Sequence, residues 1–92
     1  MAGSNQYTVG TAPTLLASAP LVAPPGPVGW FVVTNGGANP IYLLGGTANT
    51  AAFGAAVAAG AVQEGWLFRG DQVWAVTASS TSTPVGVLQT GA

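Results

Sequence analysis

From Gly29 onward, short apolar runs alternate with turn-forming clusters. Trp30-Phe31-Val32-Val33-Thr34 is aromatic and β-branched, as strands prefer, and Asn35-Gly36-Gly37 supplies a turn. Pro40-Ile41-Tyr42-Leu43-Leu44 predicts a second strand, ended by Gly45-Gly46. Along 62–68, Val62, Glu64, Trp66 and Phe68 alternate with Gln63, Gly65 and Leu67, the period of a strand. Arg69-Gly70-Asp71 reads as a turn, residues 72–78 as a strand, 79–83 as a polar turn and 84–89 as a closing strand. The Ala-rich stretch 51–61 has helical propensity, but Gly54 and Gly60 oppose it. A loop, an extended segment over 53–57 and a turn at Ala59-Gly60 are expected, with a short helix as the alternative. Strands at this spacing predict an all-β fold, a small β-sandwich or barrel.

Residues 1–28 look different. Tyr7-Thr8-Val9 could form a short strand, but Pro24-Pro25-Gly26-Pro27 can be neither helix nor central strand. This predicts two parts: an extended Pro-rich N-terminal arm over 1–28, with at most a short edge strand, and a β domain over 29–92. Leu15, Leu16, Leu21 and Val22 are greasy for a free linker, so they are candidate contacts with a partner subunit or shell. Trp30, Trp66, Phe68 and Trp74 are the large side chains available for a two-layer core. The pattern leaves open which strand faces point inward.

Composition changes the picture most through charge. The 92 residues include one Arg, two carboxylates and no Lys, His or Cys, so 3% of the chain is charged. Soluble domains are typically about a quarter charged. One cation cannot displace the counterions of a nucleic acid, so no nucleic-acid partner is expected. Without Cys there is neither a disulfide framework nor a thiolate metal site. Nucleophilic catalysis lacks a base other than Glu64 and Asp71, which flank Arg69 and read as a surface cluster. No catalytic, cofactor-binding or metal site is therefore expected, and the chain reads as non-enzymatic. Arg69-Gly70-Asp71 spells an adhesion tripeptide but is also ordinary turn chemistry.

Six prolines before Ile41, and glycines throughout 41–62, argue against a membrane-spanning helix. No basic segment of an export signal is present, which suggests synthesis in a cytoplasm. A surface this poor in charge has little repulsion to keep copies apart. Self-association, or cover by a larger assembly, is expected.

The second half also resembles a family of small tailed-phage structural proteins. The resemblance runs through Val33-Thr34-Asn35, Ile41-Tyr42-Leu43-Leu44-Gly45-Gly46, Phe53 and Val57-Ala58-Ala59-Gly60. It continues from Arg69-Gly70-Asp71-Gln72-Val73-Trp74-Ala75-Val76-Thr77-Ala78-Ser79 to Val85-Gly86-Val87-Leu88-Gln89-Thr90-Gly91. What it implies is a head decoration (cement) protein of a bacteriophage virion. Such a protein is made in the host cytoplasm and binds the major capsid protein at capsomer junctions, as a homotrimer, stabilising the shell against internal pressure. Two alternatives stand beside it: a receptor- or carbohydrate-binding β module of a phage head or tail fibre, and a self-assembling surface or shell component unrelated to phage.

Overall fold

The computed structural model describes residues 2–45, 55–78 and 82–91. Within them eight strands form in chain order: β1 (Ala2–Val9), β2 (Thr14–Ser18), β3 (Pro27–Asn35), β4 (Ile41–Leu44), β5 (Ala55–Val57), β6 (Val62–Phe68), β7 (Gln72–Val76) and β8 (Thr83–Gly91). They make two four-stranded antiparallel sheets, ordered β1-β8-β3-β6 and β2-β7-β4-β5. The fold is a small β-sandwich, so the barrel alternative falls away. Five strands lie where the alternation predicts them, and β5 with the turn at Ala59-Gly60 matches the end of the predicted extended segment. Gly46, Phe53, Ser79 and most of the predicted loop before β5 lie outside the described residues.

The N-terminal arm is a correction. Residues expected to lie outside the domain supply β1 and β2, one edge strand for each sheet. β1 pairs along its whole length with β8, from Ala2↔Thr90 to Val9↔Thr83. β2 pairs with β7 through a register shift between Leu15 and Ala17. Both pairings join residues far apart in the chain, so they leave no local signature. The Pro-rich connection between β2 and β3 is largely exposed.

Consecutive strands mostly cross from one sheet to the other; among the described residues only β4 and β5 are consecutive and paired. The Arg69-Gly70 turn is one such crossing, from β6 to β7. Gly70 holds φ +78°, a left-handed conformation that side chains disfavour. The Asp71 backbone N–H donates to Phe68 O at 3.0 Å, and the Asp71 carboxylate accepts the Phe68 N–H at 2.8 Å. Ala19 N–H donates to Asp71 O and Gly70 N–H to Pro20 O, at 2.9 and 2.7 Å, tying the start of the Pro-rich connection to this turn. The tripeptide is thus built into the fold as a strand connection.

The core is aliphatic. Val9, Leu16, Val33, Ile41, Val57, Ala75, Val85 and Val87 form one buried cluster, and Ala17, Ala19 and Leu67 a second; Phe31 packs against both. Gln89 bridges the sheets, donating from its amide nitrogen to Ser18 O at 2.7 Å and accepting the Ser18 N–H at 3.3 Å. Asn35 is the buried polar hub. Its side-chain amide donates to Asn39 O at 2.8 Å and Val57 O at 3.0 Å, and its Oδ1 accepts the Gly37 N–H at 3.1 Å. Its backbone N–H donates to Ala61 O, and its carbonyl accepts the Gly60 N–H.

Thr83 is fully buried, and among the described residues its Oγ1 has no hydrogen-bond partner. A buried polar group without a partner costs about 1–3 kcal/mol. Thr83→Val keeps the shape and removes the hydroxyl, so it is expected to raise stability by about 1 kcal/mol. A higher denaturant midpoint at unchanged m-value is the readout, and an unchanged or lower midpoint contradicts it.

Candidate interaction surfaces

The strand faces sort the candidate residues. On β3, Gly29, Val33 and Asn35 are buried and Phe31 packs on the core, so Trp30, Val32 and Thr34 point outward. On β6, Leu67 is buried and Val62, Glu64, Trp66 and Phe68 share the exposed face. Trp66 is 60% exposed and Phe68 47%, so their expected place in the core is corrected. Trp30 and Trp74 are half-buried and lie in neither core cluster. The reason is volume: the inner faces are filled by Val, Ile, Leu and Ala, and among the described residues Ile41 and Leu67 head the fully buried side chains by size.

The outer face of the β1-β8-β3-β6 sheet is built in rows across the strands. One row reads Thr90, Trp30, Trp66, with the two indoles edge-to-face at 4.6 Å between centroids and 73° between planes. The next reads Ser4, Leu88, Val32, Glu64, and the next Gln6, Gly86, Thr34, Val62. Among the described residues Gly86 has no neighbour within 4 Å of where a Cβ would stand, and an open depression of about 570 Å³ lies there, lined by Ser4, Gln6, Val32, Thr34, Gly86 and Leu88 among others. The face therefore combines exposed aromatic and aliphatic groups with neutral hydroxyls and amides, and its one charge is Glu64.

A second apolar feature lies at the tip of the β2–β3 connection. Leu21 and Val22 are 84% and 93% exposed, close to the Arg69-Gly70 turn. Leu15 stands at the margin of exposure, opposite Trp74. Leu16, expected beside them as a contact, is buried in the core and is corrected. The residue after it belongs to the same register shift, which turns Leu16 and Ala17 both inward. The exposure of Val62 and Leu88 was not foreseen; Val62 shares a face with Glu64, which is the signal that could have revealed it.

Among the described residues no group of three or more His, Cys, Asp or Glu could hold a metal ion, and no helix is long and apolar enough to cross a membrane.

No protein-family model matches the chain, and no curated protein matches its sequence. The fold is similar to a chain in the structure reported as "Bacillus endospore appendages form a novel family of disulfide-linked pili". The TM-score is 0.57 at 15% identity, covering 99% of this chain and 85% of that one. It is also similar to the crystal structure of PirA, with TM-score 0.57 at 15% identity over 95% of this chain and 93% of that one. At this identity the likeness establishes the β-sandwich fold. It also corrects the phage expectation: these two structures are a spore appendage and PirA, not a capsid decoration protein. The virion head location and the major capsid protein as partner fall with it. Self-association is the part of the expectation with which the appendage likeness agrees.

Proposed function

We propose that this chain is a non-enzymatic structural subunit that associates with copies of itself through uncharged, apolar surface. The observation that carries this reading is the exposure of Leu21, Val22, Val62, Trp66, Phe68 and Leu88 on a domain with three formal charges. Exposed apolar groups set among neutral polar ones, as on the outer face of the β1-β8-β3-β6 sheet, are characteristic of interaction sites. A Bacillus endospore appendage with the same fold forms disulfide-linked pili. This chain has no Cys, so its contacts would be non-covalent and would respond to concentration.

Light scattering on a size-exclusion column, over a broad range of loading concentrations, tests the reading. The mass is expected to rise with concentration well above 9.0 kDa. A constant protomer mass throughout contradicts it.

Leu21 and Val22 are proposed contacts. They fill no core position, so Leu21→Ser with Val22→Ser is expected to leave the thermal midpoint within a few degrees of the parent. The same double variant is expected to weaken association roughly tenfold, since truncating apolar contacts at an interface typically costs about 1–2 kcal/mol. A large drop in the midpoint, or undiminished association, would remove these two residues from the interface.

A further inference from the structure

The edges of the two sheets are not equivalent. In the β2-β7-β4-β5 sheet, β5 is three residues long, and β2 carries a register shift and stands between Pro13 and Pro20. Short, bulged and proline-flanked edges are the devices by which proteins resist strand-to-strand pairing. In the β1-β8-β3-β6 sheet the edge strands themselves carry none of them; the one shift beside an edge, between Pro27 and Gly29 in the β3–β6 pairing, places its extra residue on the inner strand β3. β1 runs eight residues in unbroken register without Pro or charge, and β6 runs seven without Pro and with Glu64 as its only charge. A long edge of this kind is a template for another strand.

The polarity of the sheet selects the partner. Every neighbouring pair in it is antiparallel, so β1 and β6 run in opposite directions. A second copy displaced sideways brings its β1 against β6 antiparallel and continues the sheet without reversing a face. We propose that β6 of one copy pairs with β1 of the next, giving an open head-to-tail assembly; the inference rests on the self-association reading above.

Side-chain chemistry agrees with this direction. Keeping outer face with outer face, one register sets Glu64 opposite Gln6 of the next copy and Trp66 opposite its Ser4. The only charge on the edge then meets an amide that can donate to it. Trp66, flanked by Trp30 on one side, gains a neighbour on the other. The Phe68 N–H and carbonyl are already taken by Asp71, so the open edge ends before Phe68. Two-fold pairing of β6 with itself about Gly65 would instead bring two Glu64 carboxylates to diagonal positions, an unfavourable arrangement. Because β1 and β6 are opposite edges, one copy can make both contacts at once, and a contact between different surfaces that does not close generates a filament.

The absence of native Cys makes a direct test possible. Gln6→Cys and Glu64→Cys proteins are prepared separately, mixed at assembling concentration and treated with a short bismaleimide. Cross-linked dimers are expected in the mixture and not in either protein alone, and the double variant is expected to give a ladder of increasing length. Glu64→Cys cross-linking to itself as well as in the mixture would overturn the head-to-tail edge. So would parent protein that assembles by light scattering while the mixture gives no product. Parent protein that never assembles would instead defeat the underlying function. A second variant reads the register without cysteine: Gln6→Glu is expected to weaken assembly about tenfold at low salt, and Gln6→Lys to preserve it. Equal effects of the two would overturn the pairing of position 6 with Glu64.

Discussion

Asn35→Ala is expected to lower stability by about 3 kcal/mol, the largest single effect among substitutions that remove only polar atoms. Two carbonyls, of Asn39 and Val57, lose their donor, and the Gly37 N–H loses its acceptor, all around a residue with no solvent exposure. Each buried group left unpaired costs about 1–3 kcal/mol, and some local relaxation offsets part of the sum. For a domain of this size that is a fall of roughly 15 °C in thermal midpoint. Asn35→Asp discriminates the mechanism. A carboxylate keeps an acceptor for Gly37 but has no donor for the two carbonyls, so at neutral pH it is expected to be worse than Ala. Burial beside carbonyls raises the folded-state pKa of that introduced carboxyl above its unfolded value. The contribution of the protonated form is then present at low pH and lost as pH rises through the folded pKa, so Asn35→Asp is expected to recover on acidification relative to Asn35→Ala. Chemical denaturation at two pH values reads this out. Equal behaviour of the two variants would mean that the amide donors contribute little.

Trp66→Thr is expected to produce the largest loss of association with little loss of fold. Trp66 is mostly exposed, and Thr retains the preference for a strand. Within the protomer the change removes the edge-to-face contact with Trp30, which is worth about 1 kcal/mol. Between protomers, at the proposed edge contact, it would remove an aromatic anchor, and such anchors typically contribute 2 kcal/mol or more. Association is therefore expected to weaken about thirtyfold, from ~2 kcal/mol at RT ≈ 0.59 kcal/mol. Loss of fold with no specific loss of association would place Trp66 in a structural role instead.

Much of the second half was legible because alternation and turns are local. β3, β4, β6, β7 and β8 each carry apolar or β-branched runs bounded by Gly, Asn, Asp or Pro. Of β1 only Tyr7-Thr8-Val9 was legible, for a physical reason. Its outward positions Ser4, Gln6 and Thr8 are polar, and only its pairing with β8, at the far end of the chain, makes it a strand. β2 was obscured by its register shift, which breaks the alternation of Leu15, Leu16 and Ala17.

The aromatic placement, by contrast, was readable and misjudged. Glu64 alternates with Val62, Trp66 and Phe68, and a face that carries an unpaired carboxylate has to remain accessible, so the aromatics beside it are exposed too. Trp30 follows, because it lies opposite Trp66. Residue size suggested a core; residue parity with the only charge on the strand gives the outcome observed.

The central claim is that this uncharged surface is covered by further copies of the same chain through contacts that owe little to ions. Sedimentation velocity over a wide concentration range, run at low and at high sodium chloride, tests it most directly. The expected result is a sedimentation coefficient that climbs with concentration and is the same or slightly larger at high salt, where charge attraction is screened. A single slow boundary at every concentration, or an assembly that dissolves as salt is added, would contradict it.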